Sequence, residues 1–142
     1  MSSFQIFNTY EFQVDSGANI WAITDKLLLL YFLPSENNNL CNVNGETFCS
    51  SGWGAMLIGF TTKVFLCYPV YVCPSNPKNT MSLGALKVYL NFRKAKLDTL
   101  AKVKLVNYDN NKYVLPTIVR NNLDFVRLSI YSLTPNSFTQ SF

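Results

Sequence analysis

Four cysteines, Cys41, Cys49, Cys67 and Cys73, are the only thiols in a chain of 142 residues that contains no histidine. Intervals of eight residues from Cys41 to Cys49 and six from Cys67 to Cys73 do not give the CxxC pairs of a zinc ribbon, so no metal site is expected. Cys67 and Cys73 cannot bridge within one extended strand, because six residues span roughly 20 Å. A bridge from Cys41 to Cys49 across the Asn44-Gly45 loop is geometrically feasible, but free thiols in a reducing compartment are the expected state. Lacking histidine, the chain cannot activate a serine or cysteine nucleophile in the usual way. It has neither GxGxxG nor GxxxxGK[ST], the usual phosphate cradles. The eight acids lie mostly in turns or on wet strand faces, with no spacing that singles out a catalytic pair. No enzyme chemistry and no cofactor are expected.

Charge is the second chemical resource. The net charge is +4, and nine of the twelve bases follow Gly84, whereas five of the eight acids precede Gly52. Lys87, Arg93, Lys94, Lys96, Lys102 and Lys104, with Tyr89 and Phe92 among them, combine positive charge with aromatic rings, as single-stranded nucleic-acid binders do. A solvated or assembly-facing sheet is the alternative use of the same residues.

The elements that would position these groups are short and apolar. Hydrophobic residues make up 49% of the chain and aromatics 15%, while charged residues reach only 14%, against about 25% in ordinary soluble domains. Such a balance suits a surface partly covered by other subunits. The longest nearly uncharged run is Gly52 to Cys73, with Lys63 its only charge. Lys63, Gly54, Gly59 and Pro69 argue against a membrane span, since a central lysine alone costs about 2.5 to 3.5 kcal/mol on insertion. The opening Met-Ser-Ser-Phe-Gln-Ile-Phe has no basic or apolar signal region, so secretory export is not expected, and the virion or the cytoplasm is the expected location.

Residues 4 to 14 alternate as a half-buried strand closed by Asp15-Ser16-Gly17. Ile20 to Leu33 is expected to form two strands with a hairpin turn at Asp25-Lys26, and the Asn-rich interval from Pro34 to Gly52 a long loop turning at Asn44-Gly45. From Val64 to Cys73 both strand faces are apolar, and Pro69 points to an edge or a bulge. Leu86, Val88, Leu90 and Phe92 alternate with polar partners as a further strand. The interval from Lys94 to Leu105 fits either a short amphipathic helix or strands. Asp109-Asn110-Asn111 and Arg120-Asn121-Asn122 are turns, and Val126, Leu128 and Ile130 mark the last strand. Seven or eight short strands with turns about every ten residues describe an all-β domain over residues 1–133. The expected form is an antiparallel sandwich or barrel, jelly-roll or immunoglobulin-like, with room for one short helix. Residues 134–142 read as a tail or arm.

These features lead to a non-enzymatic structural or assembly subunit, most simply a small capsid or phage-tail protein in a homo- or hetero-oligomer with other protein subunits. Its expected assembly residues are Val64, Phe65, Leu66, Tyr68, Val70, Tyr71 and Val72 on the central strand, and Phe138 and Phe142 on the arm. A carbohydrate- or receptor-binding module using Trp21, Trp53 and the tyrosines is the first alternative. Nucleic-acid binding through residues 87 to 104 is the second.

Overall fold

Alternation places the first strand where the sequence predicts it: β1 (Ser2–Asp15) buries Phe12 and Val14 and leaves Glu11 and Gln13 half-buried on the other face. The computed structural model describes residues 2–41, 47–60, 63–76, 78–98, 100 and 102–135. Asp15 ends β1 by accepting the Gly17 amide on Oδ1 at 3.0 Å.

β2 (Trp21–Ile23) is wholly buried. The hairpin expected at Asp25-Lys26 does not form. Asp25 instead caps a 3-10 turn over Lys26–Leu28, its Oδ1 accepting the Leu27 amide at 2.9 Å. A side-chain acceptor that satisfies a local N–H competes directly with a hairpin turn. β3 (Tyr31–Cys41) therefore lies away from β2 and pairs with β4 (Thr47–Phe60). This pairing also corrects the long loop expected from Pro34 to Gly52. The Asn-rich composition appears as register breaks between Pro34 and Asn37 and between Asn37 and Leu40, because a long partner strand overrides local preference. The Asn44-Gly45 turn lies outside the described residues.

β5 (Lys63–Val72) runs antiparallel to β4. One extra residue on β5 sits opposite the step from Gly54 to Met56, where the peptide before Pro69 is cis. That bulge reverses the inward parity, so Cys67 points into the core before it and Val70 and Val72 after it. β6 (Thr80–Ser82) leads into α1 (Leu83–Tyr89), in place of the strand expected over Leu86–Phe92. Ser82 is the reason. Its Oγ accepts the Ala85 amide at 3.0 Å as the N-cap and donates to the Ala18 carbonyl at 2.6 Å, while Leu83 and Leu86 share the buried face.

β7 (Phe92–Leu97), β8 (Lys102–Asn107) and β9 (Lys112–Pro116) form a three-stranded antiparallel sheet. The strand reading thus holds for Lys94–Leu97 and Lys102–Leu105, and the α-helix α1 lies earlier in the chain. Asn107 Oδ1 accepts the amides of Asp109 and Asn111 and, with Asn110 at φ 64°, shapes the β8–β9 turn. β10 (Ile118–Arg120) turns through Asn121 and Asn122, both at positive φ, into β11 (Leu123–Pro135). Asparagine tolerates this left-handed backbone better than most residues.

The larger sheet has the order β10-β11-β1-β6-β2-β5-β4-β3. Pairings β1–β6 and β2–β5 are parallel and the rest antiparallel. β11 also pairs with β4, Ile130 facing Ile58, so the strands from β11 through β1, β6, β2 and β5 to β4 return on themselves. The expected all-β fold forms as two packed sheets, but the larger is mixed and not purely antiparallel, because β6 pairs beside β1, and β5 beside β2, running the same way. Buried residues of both sheets, from Phe12 and Trp21 to Leu105 and Tyr113, belong to one core.

Candidate interaction surfaces

The central stretch divides between inside and outside. Val70 and Val72 are fully enclosed by the protein's own core, which removes them from the expected assembly residues. Phe65 also has internal work: its ring lies 5.5 Å from those of Phe92 and Tyr113, joining β5 to the three-stranded sheet. Val64 and Tyr71 are half-buried. Leu66 and Tyr68 remain outside, at 52% and 46% exposure. The Tyr68 ring comes 6.5 Å from that of Tyr89 on α1, beside which Val88 is 73% exposed. Alternation places Val88 on the inward face of a strand and Tyr89 on the wet one, whereas the helix leaves both exposed; the signal for the helix is Ser82 ahead of Leu-Gly-Ala-Leu. Along Lys63–Pro69, β5 has a strand neighbour only in β4 among the described residues, since β2 covers Val70–Val72 alone. Phe138 and Phe142 lie outside the described residues.

The basic residues are largely brought together. Lys94, Lys96, Lys102 and Lys104 are exposed on one face of the three-stranded sheet, and the β8–β9 hairpin adds Lys112. Arg93 lies at the sheet's end, donating to Asn110 Oδ1 at 2.7 Å. Lys87 is exposed on α1 rather than on this face. Tyr89 and Phe92, expected to interleave with the lysines, do not share the face: Tyr89 ends α1 and Phe92 is core.

Clefts also open on the described surface. The first, of about 340 Å³, is lined by Glu11, Lys78, Arg120 and Phe125 among others. Glu11 accepts a hydrogen bond from Arg120 and faces Arg127 Nε at 3.6 Å. The Arg120 hydrogen bond holds the Glu11 carboxyl below its ordinary value against partial desolvation. Lys78 and Arg120 stand 4.9 and 5.0 Å from the Phe125 ring centroid. A carboxylate held ionised between two guanidiniums is a poor general acid. The second cleft, of about 680 Å³, lies among Pro34, Glu36, Cys49, Ser51 and Pro74. Cys49 is exposed there as a free thiol, and no imidazole exists in the chain to activate it.

Cys67 and Cys73 are also free and buried. Burial drives the Cys67 thiol well up, and raises Cys73 to about 11. Of the two tryptophans considered for stacking on a ligand, Trp21 is enclosed against Phe12 with ring centroids 5.6 Å apart, and Trp53 is half-buried. Among the described residues, no cluster of three or more histidine, cysteine, aspartate or glutamate side chains could hold a metal ion, and no helix is long and apolar enough to cross a membrane. Comparison with known proteins finds no matching family model, curated protein or solved structure.

Proposed function

We propose that the chain is a non-enzymatic assembly subunit that docks another protein chain over β5 and α1. The observation that carries this reading is the cluster of Leu66, Tyr68, Val88 and Tyr89, four large side chains between 46% and 73% exposed on adjoining elements. Apolar clusters of this kind, with tyrosines at their centre, are characteristic of docking surfaces. The backbone of β5 from Lys63 to Pro69, open on one side among the described residues, offers further hydrogen bonds to a partner. A particle shell or tail, in which small β domains pack laterally, is the setting we infer from the low charge and high aromatic content.

The test is sedimentation over a wide concentration range, with Leu66→Asp and Tyr68→Ser as variants. Self-association that weakens roughly 30-fold in either variant supports the reading, as expected for a residue at the centre of an interface. If the protein stays monomeric, and the variants do not reduce binding of a hydrophobic dye, the patch is not a docking surface and the reading fails.

A further inference from the structure

The three-stranded sheet has two unlike faces. Ala95, Val103, Leu105, Tyr113 and Leu115 are buried in the core, and strand alternation turns Lys94, Lys96, Lys102, Lys104 and Lys112 outward, all exposed. Register places Lys96 directly across from Lys104, and Lys94 and Lys112 on either side of Val106. Residues 92–116 contain six bases and two acids, a net of +4 that equals the charge of the whole chain. The other six bases and six acids cancel.

Little inside the molecule neutralises this face. Asp98 pairs with Lys104 at 3.0 Å and also accepts the amides of Leu100 and Lys102. Among the described residues, Lys94, Lys96, Lys102 and Lys112 make no ion pair. Like charges directly across strands are destabilising, so the isolated fold carries a repulsion that a bound polyanion would relieve.

We propose that this lysine face binds the phosphate backbone of nucleic acid. Lysines on neighbouring strands are about 5 Å apart and those two apart on a strand about 7 Å, a lattice fine enough to meet several phosphates of a densely charged backbone at once. Val106, Val114 and Pro116 lie between them on β8 and β9, and Asp98 sits beside Lys104 at one end. Among the described residues no aromatic ring lies between the lysines, the exposed Tyr108 standing beyond them in the β8–β9 turn, so the face reads backbone charge and not sequence. A membrane surface is disfavoured by the same residues, since interfacial binders pair their bases with Trp, Phe or Leu that enter the lipid. The lysines lie on β7, β8 and β9 and Leu66, Tyr68 and Tyr89 on β5 and α1, so the face binds whether or not that patch docks a subunit.

The experiment is a salt titration of the full chain against labelled mixed-sequence DNA duplexes. Four engaged lysines predict a log–log salt slope near −3.6 and roughly a 10²-fold loss of affinity between about 50 and 200 mM salt. The variant K94Q/K96Q/K112Q leaves the Lys104–Asp98 pair intact; it is expected to melt no lower than the parent, since it removes the charge across from Lys104, and to lower the slope by about 2.7. The corresponding triple arginine variant restores it. No binding at about 25 mM salt overturns the proposal, as does an unchanged slope in the triple glutamine variant. A more than tenfold preference among unrelated sequences, or tighter binding to phosphatidylserine vesicles than to duplex, overturns the backbone assignment.

Discussion

The ring of Phe65 meets that of Tyr113 edge-on, with centroids 5.5 Å apart and planes at 89°. Phe92 closes the triangle, 5.5 Å from Phe65 and 6.1 Å from Tyr113. Three aromatic rings from β5, β7 and β9 thus hold the small sheet against the large one. Phe65→Ala is expected to cost about 3 kcal/mol, the lower end for such truncations because Phe65 is half-buried. Hydrogen exchange checks the location. The amides of Val103 and Leu105 should lose protection well before those of β1 and β11, and a uniform loss would show that the triangle does not act as a joint.

Gly54 stands where β3 passes closest to β4. A Cβ there would lie 1.9 Å from the Tyr31 carbonyl oxygen, and one at Gly52 would lie 2.4 Å from that of Leu33. Backbone atoms cannot rotate away, so Gly54→Ala is expected to destabilise by more than about 3 kcal/mol, the upper range for overpacking. Denaturant midpoints of Gly54→Ala and of the milder Gly84→Ala, whose Cβ would come no nearer than 3.3 Å to another atom, provide the comparison. Equal midpoints would refute the close approach.

Acid should weaken the fold through Glu11 and Asp98. The hydrogen bond from Arg120 holds folded Glu11 below 4.5, and that from Lys104 holds folded Asp98 below 3.8. As pH falls past these ordinary values, the unfolded chain takes up protons that the folded one refuses, so the stabilisation present at higher pH is lost through the folded values. Thermal melts from about pH 7 to about pH 3 are expected to show this decline. Glu11→Gln should flatten it, and an unaltered pH profile in that variant would remove Glu11 from the account.

The thiols should differ in reactivity as they differ in burial. Cys49 is exposed, Cys67 is enclosed with its thiol well above the ordinary range, and Cys73 is raised to about 11 by burial first and by Cys49 second. Alkylation at neutral pH followed by peptide mass mapping is expected to find Cys49 modified in the native protein, and Cys67 and Cys73 only after denaturation. Native labelling of Cys67 at the rate of Cys49 would contradict the core assignment.

What the sequence discloses here is local. The turns at Asn110 and at Asn121-Asn122 are legible because the residue type suits a left-handed backbone, and β1, β8 and β11 because alternation records one buried face. The lost features all depend on partners. Pro34 to Cys41 has loop composition yet becomes strand against β4, and Val70 is core only because a bulge at Tyr68 and Pro69 reverses the parity set by Cys67. Of the expected assembly residues, Leu66 and Tyr68 lie exposed, while Phe65 is spent on holding the small sheet. Lys112 joins the lysine face through register, which the Asn110 turn and simple counting along β8 and β9 would have supplied.

The closure of the large sheet also sets the order of events at birth. Glu11 of β1 faces Arg127 of β11, 116 residues further along. At ordinary elongation rates a ribosome needs roughly 6 to 20 s to make that interval. Throughout it Phe12 lacks its β11 partner Val126, and β4 lacks the partner that completes the ring. Protease resistance of the nascent chain is therefore expected only once Leu123–Pro135 has left the exit tunnel.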